Sequence, residues 1–387
     1  MKEGWEYKKL GEVADVAAGQ GAPQGEANYC PDGIPFIKAG NLEALISGLP
    51  EQKVQRVSAE VAKTHRLKLY KAGSVLFAKS GMSCMKGWVY TLKNDCYVVS
   101  HLAIITPQNV KHGFLNYYFQ FNKPNTLIKD AAYPSISLKD ISNMFIPCPS
   151  LSEQQHIVEE LDLLSSIIKK KKAQLIELEN LAQSLFYEMF GDPITNEKGW
   201  EVKKIGEITD SSIGITYKPT AVNDDGVIVL RSSNIQNNEI DLKDIVRVNC
   251  KIKDDKFVRN GDILMCTRNG SLRLVGKVAM INNLPERMTY GAFMTVIRSQ
   301  YNAFLFMFFQ LPAFKQQLIT AQTATINQIT IKMLNDVKVI VPPIELQQQF
   351  ASKIEAIKHE KELIKQSIKE VTSMYNSRMD FWFNLNK

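Results

Sequence analysis

No stretch of this chain approaches the roughly 18 consecutive apolar residues of a membrane span, and no signal-type apolar run follows Met1. Membrane association and secretion are therefore not indicated, and a cytoplasmic location is expected. Cysteine is sparse. Cys30, Cys84, Cys96, Cys148, Cys250 and Cys266 form no C-x-x-C pair, and no histidine lies at zinc-ligand spacing, so reduced and mostly buried thiols are expected rather than disulfides or a metal site. Phosphate loops and dinucleotide fingerprints are also missing. In Ala18-Gly19-Gln20-Gly21-Ala22-Pro23-Gln24-Gly25 the glycine spacing is wrong for such a fingerprint, and the stretch reads as a flexible loop. Gly81-Met82-Ser83-Cys84-Met85 lacks the closing glycine of a nucleophile elbow, and His101, beside an apolar run, reads as a satisfied core residue rather than a base. These absences leave no catalytic constellation. The lysine run 169–172 reads as a solvated helix face, with contact to phosphate or an acidic partner as the lesser reading.

What is present is an ordinary folded composition, 45% hydrophobic and 22% charged, in 387 residues, enough for two domains. The net charge of +7 fits a polyanion partner without requiring one. Ile157, Leu161, Leu164, Ile168, Lys171, Leu175, Leu178, Ala182, Leu185 and Met189 follow at alternating steps of four and three, the seam of a helix that packs on one partner helix. Ser150 and Glu153 have capping-box spacing, and Gly191 before Asp192-Pro193 supplies the stop. The same rhythm returns in Phe350, Ile354, Ile357, Lys361, Ile364, Ile368, Val371, Tyr375, Arg378 and Trp382, which supplies the mate.

The chain also repeats itself. Gly4-Trp5-Glu6-Tyr7-Lys8-Lys9-Leu10-Gly11-Glu12 returns as Gly199-Trp200-Glu201-Val202-Lys203-Lys204-Ile205-Gly206-Glu207, and Gly73-Ser74-Val75-Leu76-Phe77 as Gly261-Asp262-Ile263-Leu264-Met265. Ser137-Leu138-Lys139-Asp140-Ile141 matches Thr330-Ile331-Lys332-Met333-Leu334, and a proline exit then leads into each long helix. The expected fold is thus α/β (α+β): two globular domains joined by two long antiparallel coiled-coil helices, tandem-duplicated with pseudo-twofold symmetry. The expected segments are 1–149, first globular domain; 150–192, central helix; 193–343, second globular domain; and 344–387, C-terminal helix. An antiparallel pair would send the two domains to opposite ends of a rod whose core, from Ile157 to Met189, spans roughly 48 Å.

Between the matching strands the two copies diverge, and the divergent loops carry side chains suited to nucleic acid. In the first copy these are Gln20, Gln24, Lys38, Asn41, Lys79, Ser80, Ser83 and Lys86; in the second, Thr216, Tyr217, Lys218, Arg231, Ser233, Asn234, Arg268, Asn269, Ser271 and Arg273. Arg and Lys can pair with guanine O6 and N7, Asn and Gln with both edges of adenine, and small neighbours admit a phosphate. Any one of them is equally well a solvated loop residue. A paired set in two copies favours DNA.

These residues resemble the specificity subunit of type I restriction–modification systems, the HsdS family. The resemblance rests on the Gly-Trp-Glu-x-Lys-Lys-Leu/Ile-Gly-Glu opening of each half and on Pro149-Ser150-Leu151-Ser152-Glu153-Gln154-Gln155 with its variant Pro343-Ile344-Glu345-Leu346-Gln347-Gln348-Gln349. It rests also on Leu185-Phe186-Tyr187-Glu188-Met189-Phe190-Gly191-Asp192, and it covers essentially the whole chain. It implies that each globular domain is a target-recognition domain reading one half of a split double-stranded DNA sequence, and that the helices dock methyltransferase subunits, two in number, which restriction subunits join. It implies too a chain that is not itself an enzyme and binds no cofactor, with S-adenosylmethionine, ATP and Mg on the partner subunits. In keeping with this, Val341-Pro342-Pro343-Ile344 is not the Asn/Asp-Pro-Pro-Tyr/Phe tetrapeptide of amino-methyltransferases. The second copy departs from the pattern at Gln347 and at residues 376–383, where the Phe-Gly-Asp ending is replaced. The alternative from another class is a coiled-coil scaffold whose globular ends bind proteins rather than DNA.

Overall fold

The computed structural model describes residues 4–320 and 328–384. The chain divides into two compact units, Met1–Lys172 with Gln366–Lys387, and Ala173–Lys365. In the first unit, strand Glu6–Lys9 pairs antiparallel with Phe145–Cys148, so the repeated opening sequence ties the unit's beginning to its exit. Next comes a four-stranded antiparallel sheet in the order Ala14–Ala18, Leu102–Pro107, Val75–Ala78, Val89–Thr91. Its two central strands are buried on both faces, which is why they read as unbroken apolar runs rather than alternating ones. A second sheet orders Arg56–Val57, Ile34–Ile37 and Tyr97–Val98, with the last pair parallel. Helix His112–Phe121 seals the core with Phe114, Leu115, Tyr118 and Phe119, the last ring 5.4 Å from that of Phe77.

The second unit repeats this plan. Glu201–Lys204 pairs with Lys338–Val341; the larger sheet orders Asp210–Ile213, Met294–Arg298, Ile263–Cys266 and Val278–Met280; the smaller orders Arg247–Val248, Val222–Leu230 and Met288–Tyr290. It adds a hairpin of Ile235–Gln236 and Glu239–Ile240, and has two helices, Asn302–Phe308 and Pro312–Thr320, in place of one.

Two helices of 40 residues, Leu151–Phe190 and Ile344–Phe383, complete both units. In the first unit the start of the central helix (Ile157, Leu161) shares a core with the end of the C-terminal helix (Met379, Trp382, Phe383). Trp382 stacks on Trp5 at 6.3 Å and donates its indole N–H to Glu160, which also holds Arg378. In the second unit the end of the central helix meets the start of the other, with the Phe186 and Phe190 rings 5.9 and 5.1 Å from Phe350. Within each unit the helices therefore run antiparallel. Of the seam residues, Ile157, Leu161, Leu164, Phe350 and Ile364 are buried, and Ile168, Leu175, Leu178, Leu185, Ile354, Ile357, Ile368 and Val371 are half-buried. Off the seam, Leu163 and Ile176 are each 61% exposed.

The helix ends show one departure from expectation. Ser150 Oγ accepts the Glu153 N–H at 3.2 Å, but the Glu153 carboxylate turns away from the cap and accepts the Trp5 indole N–H at 2.9 Å. The capping box is half formed because its acid holds the opening motif of the repeat. At the other end Gly191 takes φ +76° and returns its N–H to Tyr187 O at 2.8 Å. All six cysteines are free; Cys84, Cys96 and Cys266 are buried, Cys30 and Cys148 half-buried, and Cys250 exposed. Among the described residues there is no cluster of His, Cys, Asp or Glu able to hold a metal, and no helix long and apolar enough to cross a membrane.

Candidate nucleic-acid interface

In the first unit the short segment from Val98 to His101, between the two sheets, is gripped by backbone from every candidate loop. Gln20 N–H donates to Val98 O at 2.9 Å, Val99 N–H to Ile37 O at 3.0 Å, and Lys79 N–H to His101 O at 2.9 Å. Ile136 N–H then donates to Lys79 O at 2.7 Å, which adds a fourth loop. The stretch expected to be a flexible loop thus starts firmly pinned. Its first glycine is obligatory, because a Cβ on Gly19 would lie 2.0 Å from Val98 O.

The second unit builds the same knot from different residues. Ile215 N–H donates to Tyr290 O at 2.8 Å, Gly291 N–H to Leu230 O at 3.0 Å, Thr267 N–H to Phe293 O at 3.0 Å, and Ile329 N–H to Thr267 O at 2.8 Å. A Cβ on Gly214 would lie 2.1 Å from Tyr290 O. Loops far apart in sequence are thereby brought to one edge of each unit, and their side chains are what differ.

The candidate side chains divide by what they are free to do. Arg268, Ser271 and Arg273 are exposed, as are Gln24, Lys86, Thr216 and Lys218. Lys79, Ser83 and Tyr217 are half-buried. The Arg268 guanidinium lies over the Phe293 ring at 5.2 Å, and Lys86 reaches over Trp88 at 5.9 Å. Lys38 sits over Tyr29 at 4.7 Å and hydrogen-bonds Gln55, while Arg231 pairs with Asp244 at 3.0 Å. Ser233 is half-buried, with its hydroxyl unpartnered among the described residues. Asn269 links two loops by donating to Ser232 Oγ at 2.9 Å.

Some candidates serve the frame instead. Asn234 is fully buried: its Oδ1 accepts the Arg231 N–H and its Nδ2 donates to Asp241 O and Asp244 O, so its amide has nothing left to offer a base. Asn41 closes the equivalent turn by accepting the Lys38 N–H at 2.8 Å. Gln20 is engaged at both ends, by Tyr70 OH and by the Lys68 N–H. Sequence could not separate these from free residues, because a turn-capping amide and a base-reading amide are the same chemical group.

Three residues that sequence reasoning left out stand at the same edge as the candidates. His101 is exposed rather than in the core, because it stands at the turn after the knot, where its Nδ1 shares a 2.8 Å hydrogen bond with Ser80 Oγ. Phe293 holds the corresponding place in the second unit. Tyr133 stands in the fourth loop and is exposed. Tyr133 alone carried a signal, an aromatic in a polar loop, whereas His101 and Phe293 lie beside apolar runs and are not marked without the fold. Burial pushes the Cys84 thiol up against the opposing pull of Lys79, which makes it a poor nucleophile.

Two copies of one backbone frame, each holding out its own set of basic, amide and hydroxyl groups, define a duplicated recognition protein. The chain belongs to the family described as the type I restriction modification DNA specificity domain, whose model matches residues 2–180 and again 197–373. It is 24% identical to the type I restriction enzyme MjaIX specificity subunit of Methanocaldococcus jannaschii, over 91% of this chain and 86% of that one. To the StySPI specificity subunit of Salmonella potsdam it is 22% identical, over 97% and 87%. Its fold is that of a chain solved in work on complex assembly and conformational transition of the type I R-M system, with a TM-score of 0.59 at 17% identity, covering 99% of this chain and 98% of that one. The protein is a sequence-specific recognition subunit of a type I restriction–modification system.

Proposed function

We propose that each knot reads one half of a split double-stranded DNA target, the first unit through Gln24, Lys38, Lys79, Ser80, Ser83 and Lys86, the second through Thr216, Tyr217, Lys218, Arg231, Ser233, Arg268, Asn269, Ser271 and Arg273. The domain limits that go with this reading are 1–149 and 193–343, with helices 150–192 and 344–387 between and after them. The chain itself performs no chemistry. It brings adenine methyltransferase subunits, two per chain and docked on the helices, to the target, and restriction subunits join them; S-adenosylmethionine, ATP and Mg act on those partners. The setting is the cytoplasm.

The observation that carries this reading is the same set of main-chain hydrogen bonds built twice around Val98–His101 and Tyr290–Phe293, with unlike side chains projecting from each. Main-chain bonds fix where a loop stands, and side chains at base edges decide what it reads. The test is methyl transfer from labelled S-adenosylmethionine to duplex DNA. The purified chain alone transfers none, and adding its methyltransferase partner yields methylation at one split sequence. Transfer by the chain alone, or methylation indifferent to sequence, contradicts the proposal.

A further inference from the structure

The first unit holds out two apolar side chains that take no part in its frame. Among the described residues Tyr133 is 82% and Met82 73% exposed, and no other large apolar side chain exceeds 62%. They come from different loops that meet beside them. Ser80 and Ser135 form an antiparallel bridge, and Gly81 N–H donates to Pro134 O at 3.0 Å. Met82 and Tyr133 are the next residues outward on the two bridged segments. Gly81, at φ +78°, turns the chain there into the short helical turn Met82–Lys86, so the pairing stops where these two side chains begin. Cys84, two residues after Met82, is buried, and half-buried Lys79 and exposed Lys86 supply positive charge on either side in sequence. The second unit forms the matching bridge, Arg268 with Gln328, yet two residues beyond Arg268 it carries Gly270 where the first carries Met82.

We infer that Met82 and Tyr133 are specificity-determining residues of the first unit, which pack on a thymine methyl group in the major groove of its half-site. The inference rests on the reading of each unit as a half-site reader. A thioether and a phenyl face are poor partners for the donors and acceptors of a base edge, and the Tyr133 hydroxyl, which could serve one, is separated from the ring by Tyr133→Phe. The one apolar group that a stacked duplex offers at a base edge is the thymine C5-methyl, and it lies in the major groove. Base faces become available only after a step is unstacked, as minor-groove wedges do, and a pair flanked by lysines on a pinned loop needs no such distortion to bury itself. A thioether with three rotatable bonds fits itself around a methyl group, and the tyrosine ring closes one side.

The experiment uses the full chain with its methyltransferase partner. Methylation mapping defines the split target, and the half-site left unchanged by Arg268→Ala with Arg273→Ala is assigned to the first unit. Duplexes then carry deoxyuridine at each thymine of that half-site in turn, which removes only the methyl group. At one position the wild-type methylation rate falls about four-fold, the worth of one buried methyl at 25 °C. Met82→Ala with Tyr133→Ala starts at the lower rate and responds no further to that deoxyuridine, Tyr133→Phe keeps the response, and the melting temperature of each variant matches the wild type. The inference is overturned if no thymine responds, if the half-site has none, or if the double variant responds as the wild type does. It is overturned differently if the double variant loses methylation of all sequences alike and no longer co-purifies with the partner, which makes the pair a protein contact. Methylation by the wild-type complex without any split target would remove the half-site reading itself.

Discussion

At the turn after the knot the first unit places His101, whose imidazole meets Ser80, and the second places Phe293, with Arg268 laid over its ring. The main chain at these two places is nearly interchangeable: Lys79 N–H reaches His101 O at 2.9 Å, and Thr267 N–H reaches Phe293 O at 3.0 Å. Duplication has therefore kept the bonds that hold loops in place and released the groups that point outward. The helix contacts diverge in the same way. In the first unit they are closed by the Trp5–Trp382 stack and the pairing of Glu160 with Arg378, in the second by the ring cluster of Phe186, Phe190, Phe304 and Phe350. Burial pushes the Glu160 carboxyl up, but hydrogen bonds from Arg378 and Trp382 outweigh this and hold it below the usual range. One contact adds a half-buried ion pair to its rings, the other is apolar, forgiving in geometry but demanding in volume.

That contrast can be broken most forcefully at Phe186. Phe186→Ala should destabilise the second unit by about 3–5 kcal/mol through reduced burial and an unfilled cavity, while Trp382→Phe in the first, which keeps a ring and removes the bond to Glu160, should cost about 1.5–3 kcal/mol. Denaturant unfolding of each variant measures both; equal destabilisation would erase the distinction between the two contacts. Gly19→Ala and Gly214→Ala come next, each forcing a methyl against a carbonyl and costing about 1–3 kcal/mol of strain. Each should impair only its own half-site in a methylation assay, and impairment at both from either change would mean that the knots are not independent.

The smallest effect concerns the glutamines that open the helices. Gln154 donates to Pro149 O at 2.9 Å and accepts the Lys111 N–H at 2.8 Å, whereas Gln347 donates to Pro342 O at 2.7 Å and its buried Oε1 has no partner among the described residues. Gln154→Met should therefore be more destabilising than Gln347→Met by about 1 kcal/mol. A reversed order in melting experiments would show that the missing bond matters less than the side-chain volume.

The large features of this fold were legible in the sequence because they repeat or are periodic. The heptad rhythm from Ile157 to Met189 needs no tertiary information, and the doubled Gly-Trp-Glu opening announces two units before any strand is assigned. The knot was not legible. Its bonds run between main-chain atoms of Gln20, Ile37, Lys79 and His101, and no residue type marks a carbonyl that will receive a distant N–H. Gly19 and Gly214 were the available sign, yet a glycine required by close approach looks the same as one that eases a turn. For the same reason Asn234 read as a base-pairing amide: its commitment to Asp241 and Asp244 depends on a hairpin that the sequence only hints at.

The central claim is that each unit reads its own half of the target through side chains on a shared frame, and Arg268 and Arg273, exposed at the second interface, test it most directly. Genome methylation mapping of a host carrying Arg268→Ala with Arg273→Ala is the measurement. The expected result is a target relaxed in one half, at about 1–3 kcal/mol for each arginine–base pairing removed, with the other half read as before. Equal relaxation of both halves, or a uniform fall in methylation with both sequences intact, would contradict it.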